Sequence, residues 1–156
     1  MQFAAVTSVA LVTVFGAWAA TYPLYAPHGL EAPLSGQGVL IALIGSAVYL
    51  GLCAVVGVGF GMLVRSTTVG TVLVFTATLL GPILASVLPY SLFSRLARIL
   101  LLGNAGDAMS RVKPPGGPFL DLWGGHISTA AGWMLVSAWA AGALLAGALA
   151  LHKRDA

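Results

Sequence analysis

The sequence predicts an all-α integral membrane fold, with four transmembrane helices and short amphipathic or re-entrant helices between the third and the fourth. Three observations predict it. Residues 3–26, 38–64, 68–90 and 127–151 are apolar runs without Asp, Glu, Lys or Arg. A bilayer core of about 30 Å takes roughly 20 such residues in a helix. The charges lie between or after those runs. The composition is 59% hydrophobic and 7% charged, with a mean hydropathy of +0.99, where a soluble domain carries about 25% charged residues. The length of 156 residues fits one membrane domain, 1–156.

The first run, 3–26, ends at Tyr22 and Tyr25, residues suited to a headgroup interface. Its start resembles a signal-peptide core before Ala17-Trp18-Ala19. The apolar stretch continues to Tyr25, however, and no Lys or Arg precedes it, so an uncleaved span is expected. No Lys or Arg occurs before Arg65. A membrane protein without an orienting charge there reads as the later part of something longer. A loop rich in turn formers follows, with Pro27, His28, Gly29, Glu31, Pro33, Ser35 and Gly36.

The second run, 38–64, carries Gly57-Val58-Gly59-Phe60-Gly61. Gly57 and Gly61 have the small-xxx-small spacing that lets helices approach closely. In the fourth run Gly142 with Ala146, and Ala143 with Gly147, repeat it. These glycines are expected to pack helices, within the chain or across a dimer face. They are not a nucleotide fingerprint, because the spacing differs and no strand precedes them.

The turn Arg65-Ser66-Thr67-Thr68 is short enough to make the second and third spans antiparallel neighbours. The third, 68–90, holds Pro82, which has no N–H for the Thr78 carbonyl and should kink the helix. Thr76, Thr78 and Ser86 can re-satisfy the loosened backbone. Either a packing kink or a functional hinge accounts for the proline.

Interfacial helices are expected over 91–112. In residues 91–100, Ser91, Arg95 and Arg98 share one helical face, and Leu92, Phe93, Leu96, Ile99 and Leu100 share the other. Gly103 is expected to break this helix, with Asn104 capping a second. The run Pro114-Pro115-Gly116-Gly117-Pro118 forces irregular chain, and Trp123 returns to the interface. No strand pairing is expected. The last span, 127–151, precedes the tail His152-Lys153-Arg154-Asp155-Ala156.

For orientation, Arg65 and Lys153-Arg154 fall on one side, which the positive-inside rule places in the cytosol. Arg95, Arg98, Arg111 and Lys113 then lie on the outer side, against that rule. An interfacial segment is a poor reporter of topology, so a cytosolic Arg65 turn and C-terminus are expected, with Glu31 outside.

Several chemistries are excluded. The only cysteine, Cys53, lies in a span and makes no disulfide or zinc site. Ser46 has no partner base but His126, so it is expected to bond back to its own helix rather than act as a nucleophile. Asp107, Asp121 and His126 match no metal spacing. Glu31, Asp107, Asp121 and Asp155 all lie outside the spans, so no membrane-embedded carboxylate serves a coupling ion. There is no basic, aromatic nucleic-acid surface and no phosphate loop. No catalytic, cofactor or metal residue is expected, and the chain is not expected to be an enzyme.

In their order, these features resemble the C-terminal, four-span portion of the membrane subunits of ABC-2 type transporters. The resemblance is carried by Gly57–Gly70 with its basic turn, the proline-bearing span, the helical segment before Gly103-Asn104-Ala105-Gly106-Asp107-Ala108-Met109, and the ending from Trp133 to Lys153-Arg154-Asp155-Ala156. It implies a plasma-membrane exporter subunit. ATP would be hydrolysed by a separate ABC ATPase chain, and a second membrane subunit would complete the path. Family members usually have two further spans upstream and a cytosolic coupling helix between their second and third spans, so docking of the ATPase is expected to need that segment. The alternative is a small four-span assembly or interaction protein without transport activity.

Overall fold

A computed structural model describes residues 2–29, 32–89, 91–112, 119–121 and 126–155. Glu31, Tyr90, Lys113, the Pro114–Pro118 run and Trp123 lie outside the described residues. Among the described residues, four helices are long and apolar enough to cross a membrane. The first is α1 (Gln2–Tyr25) and the second α2 (Val39–Val64). The third is built from α3 (Thr67–Phe75), a π turn (Thr76–Leu80) and α4 (Gly81–Val87). The fourth, α7 (Thr129–Asp155), runs on through the residues expected as a tail, at least to Asp155. Between the last two spans lie α5 (Leu92–Leu100) and α6 (Leu102–Ser110).

Several hydroxyls within the spans are satisfied locally, whereas the buried Thr7 hydroxyl of α1 has no hydrogen-bond partner among the described residues. Ser8 donates to the Ala4 carbonyl, Thr13 to Val9 and Thr21 to Ala17. Such back-bonding hides polar groups that lipid cannot solvate. Ser46 does the same, donating to Ala42 at 2.8 Å.

Neighbouring spans meet at small residues. Thr7 and Phe3 of α1 lie over Gly51, and Trp18 ties α1 to the following loop by donating to the Ala32 carbonyl at 2.9 Å. The turn after α2 is tighter than expected. Alone among the described non-glycine residues, Arg65 takes the left-handed conformation, φ 57°, and its N–H closes α2 on the Gly61 carbonyl. Ser66 then caps α3 by accepting from the Val69 N–H. A Cβ on Gly70 would fall 2.6 Å from the Gly57 carbonyl oxygen and 2.9 Å from Gly61 Cα. The start of α3 therefore presses onto the end of α2 at that glycine.

The third span breaks where Pro82 predicts. Over Thr76–Leu80 the ladder slips by one residue, so that the Gly81 N–H bonds to the Thr76 carbonyl. The Thr78 hydroxyl bridges back to the Val74 and Phe75 carbonyls at 2.8 and 3.1 Å.

Two corrections concern 91–112. The helix break is not at Gly103 but at Leu101, whose ψ of 132° is extended. Asn104 is not a cap either. It lies inside α6 and donates from its side chain to the Arg98 carbonyl at 2.6 Å. The physical reason is packing. Gly103 is where α6 meets the broken third span, and a side chain there would overlap the Thr78 carbonyl and the Pro82 ring.

Helix α5 begins with a capping box between Ser91 and Ser94. Its apolar residues Leu92, Phe93, Leu96 and Leu100 are exposed, while Ser94 is buried. The polar face turns towards the protein. Arg98 donates from Nε to the Ala85 carbonyl at 2.8 Å and from Nη2 to Leu88 at 3.3 Å, closing the end of α4. Helix α6 is the opposite. Leu102, Ala105, Ala108 and Met109 are all at most 1% exposed and, with Val56 and Val136, form the core. Together α5 and α6 form an elbow that enters from the end of the bundle holding Val112 and returns to it.

Against expectation, the connection between the third and fourth spans holds, among the described residues, one short strand pair. Leu120–Asp121 (β1) pairs antiparallel with His126–Ile127 (β2). It is two residues long, and Ile127 then tucks into the core ahead of α7.

Candidate functional site

The broken third span leaves a groove of about 950 Å³ against α2. Helix α2 supplies one wall through Tyr49, Cys53, Gly57, Gly61 and Arg65. Those positions repeat every four residues and so form one inclined row along the helix, ending at its C-cap Arg65. The other wall comes from Thr67, Thr71, Val74, Phe75 and Thr78, and Gly103 of α6 closes the far end. Glycines make the floor. Nearest to a Cβ on Gly57 is Val74 Cγ2 at 3.6 Å, and nearest to one on Gly61 is the Ser66 carbonyl oxygen at 3.6 Å.

The polarity of this groove is one-sided. Thr71 and Thr78 spend their hydroxyls on the Thr67 and Val74 carbonyls and so offer mainly methyl groups. Val58, Val74, Phe75 and Leu79 make the middle hydrocarbon. At one end stand Arg65, Ser66 and Thr67. Among the described residues no carboxylate pairs with Arg65, and the Asp107–Arg111 ion pair lies on α6 and the residue after it. At the other end the Tyr49 ring packs against Gly106 of α6, where a side chain would overlap it.

The elbow between α5 and α6 bounds the site from behind. Trp139 donates its indole N–H to the Leu100 carbonyl at 2.9 Å. The elbow thus lies about 15 Å along α7 from Thr129, at 1.5 Å per residue. A backbone break at that depth needs internal partners, and Trp139 and Asn104 supply them.

Of the residues singled out in the sequence, Gly57, Gly61 and Arg65 line this groove, and Pro82 stands beside Gly103 at its closed end. The three glycines of the Gly57–Gly61 run divide their work. Gly57 and Gly61 meet α3 through Gly70, whereas Gly59 meets Ala143 and Gly147 of α7. Gly142 does not join a helix contact within this chain: a Cβ there would meet nothing within 4 Å. It opens onto a separate hollow of about 450 Å³ beside Phe60, Leu100 and Trp139. Its neighbours Ala143 and Gly147, one and five residues on, are the ones that pack.

Asp107, Asp121 and His126 are not drawn into one cluster. Asp107 is paired with Arg111, and Asp121 faces His126 across the strand pair. Sequence reasoning missed Tyr49, Gly103 and Trp139. For Trp139 no local signal exists, since its partner lies 39 residues away. For Gly103 the signal was present but was read as a helix breaker.

No family model, curated protein or solved structure matches the chain.

Proposed function

We propose that this chain is the membrane-spanning subunit of an ABC-type exporter, or its C-terminal part, in the plasma membrane. In this reading ATP is hydrolysed by a separate partner chain, and a second membrane subunit completes the translocation path. The observation that supports it most is the elbow of α5 and α6, seated on the proline-broken third span just before the last span. That is the element order the resemblance to ABC-2 type permeases implies. A broken helix beside a groove also supplies a place where two packings of one span can interconvert.

The orientation belongs to the same reading, with Arg65 and the end of α7 in the cytosol. The positive charges at the opposite end weigh less against it than their number. Arg98 caps carbonyls of the third span, and Arg111 is paired with Asp107.

The test is capture of an ATPase encoded beside this chain, using this chain and one extended upstream by two further spans. Capture by the extended chain alone is the expected result, and this chain alone should hydrolyse no ATP. Equal capture by the short chain would show that the docking surface lies within these residues and that the span assignment is wrong. Capture by neither would favour the four-span assembly protein. Orientation is read separately, from single cysteines at 65 and 153 in a Cys53→Ser background. Labelling of position 153 by an impermeant thiol reagent from outside would reverse it.

A further inference from the structure

We propose that the groove between α2 and the third span seats one anionic bilayer lipid, with its headgroup at Arg65 and an acyl chain lying over Gly57. The proposal does not rest on the exporter reading and holds whether or not an ATPase partners the chain.

Charge and polarity argue for this occupant. The groove is hydrocarbon along its middle and cationic at one end only. Among the described residues Arg65 has no carboxylate partner, so its charge is uncompensated within the bundle. The Thr71 and Thr78 hydroxyls along the wall are already bonded to their own helix, so an acyl chain beside them displaces no needed partner. A guanidinium matches phosphate oxygens with two parallel donors.

Distance agrees. The hydrocarbon of one leaflet is about 15 Å deep, half the bilayer core. From Arg65 that depth covers about ten residues of α2 at 1.5 Å each, which reaches Val55 and passes over Gly57 and Gly61. Those two glycines give a shallow floor on which a chain can lie. The backbone points the same way. Arg65 holds φ 57°, a conformation in which glycine is the low-energy residue. An arginine there keeps a charge at the mouth of the groove at a conformational cost.

A protein helix from another chain is the competing occupant. It would fill the hydrocarbon part but leave Arg65 without an anion.

The experiment is native mass spectrometry of the delipidated chain in neutral detergent. It is titrated with phosphatidylglycerol or phosphatidylcholine of identical acyl chains. One phosphatidylglycerol should be retained with at least a fivefold preference. Arg65→Gly should reduce that preference below twofold. Glycine suits the left-handed turn, so this variant should fold at least as well as the parent, and a loss of lipid is then a loss of charge. Thr71→Trp, on an exposed wall position, should reduce retention of both lipids, with unfolding temperature as the control. Val58→Trp serves if that variant fails to fold. Equal retention of the two lipids by the parent would overturn the proposal, as would an undiminished preference in Arg65→Gly. A dimer that Thr71→Trp abolishes without changing lipid retention would overturn it too, and would assign the groove to a second copy.

Discussion

Trp139 and Leu100, far apart in sequence, are joined by one hydrogen bond of 2.9 Å from the indole N–H to the backbone carbonyl. That bond fixes where the elbow between α5 and α6 turns. The break at Leu101 frees carbonyls at a depth where lipid offers no donors. Asn104 takes the Arg98 carbonyl and Trp139 takes that of Leu100. The elbow is therefore held by side chains from two helices in addition to the backbone bonds of Leu101 to Ala97 and of Ala105 to Leu101.

Trp139→Phe keeps most of the ring and removes only the donor. Leaving an acceptor unsatisfied away from water costs about 1–3 kcal/mol. The variant should lose that much stability in detergent, and amides of 101–103 should exchange faster while those of α2 do not. Unchanged exchange at the elbow would show that the bond is incidental.

The glycines divide by what a methyl group would meet. At Gly59 it would overlap the Ala143 backbone and come within 2.8 Å of Ala143 Cβ, and at Gly142 it would meet nothing within 4 Å. Gly59→Ala should therefore push α2 from α7 at a cost of about 1–3 kcal/mol. Gly142→Ala should instead stabilise the helix by up to about 1 kcal/mol. Thermal unfolding of the two variants beside the parent checks both. A loss of stability or of oligomer size in Gly142→Ala would assign that glycine to a contact with a second copy.

What was legible in the sequence follows from these cases. Span number and approximate limits came from run length, because hydrocarbon thickness is a constraint on each helix separately. Pro82 marked the break in the third span through its missing N–H, a property of one residue. The elbow was legible only as an amphipathic stretch. Its turn falls among leucines, Leu100-Leu101-Leu102, which carry no breaking signal of their own. Gly103 looked like the breaker because a glycine lowers helix propensity in water, whereas here close approach to the Thr78 carbonyl is what requires it. The groove was illegible for a similar reason. It depends on how α2 and α3 splay beyond Gly70, a tertiary outcome that neither helix encodes alone.

Arg98 and Arg111 offer a last contrast, because both are cations near the same end of the bundle with different tasks. Arg98 donates to the Ala85 and Leu88 carbonyls at 2.8 and 3.3 Å and so closes the third span. Arg111 makes an i,i+4 ion pair with Asp107, whose side chain is 60% exposed. Hydrogen bonds from a charged group contribute about 1.5–3 kcal/mol, whereas an exposed pair at this helical spacing contributes about 0.3–0.5 kcal/mol. Arg98→Gln should therefore lower the unfolding temperature by several degrees, and Arg111→Gln should barely move it. Raising the salt concentration should weaken only the Arg111 contribution, since carbonyl acceptors are not screened as a paired charge is. Arg98→Lys should recover less than half of the loss, because an ammonium on a flexible stem does not reproduce the planar fork that reaches both carbonyls. Equal losses for Arg98→Gln and Arg111→Gln would mean that α4 ends stably without its cap.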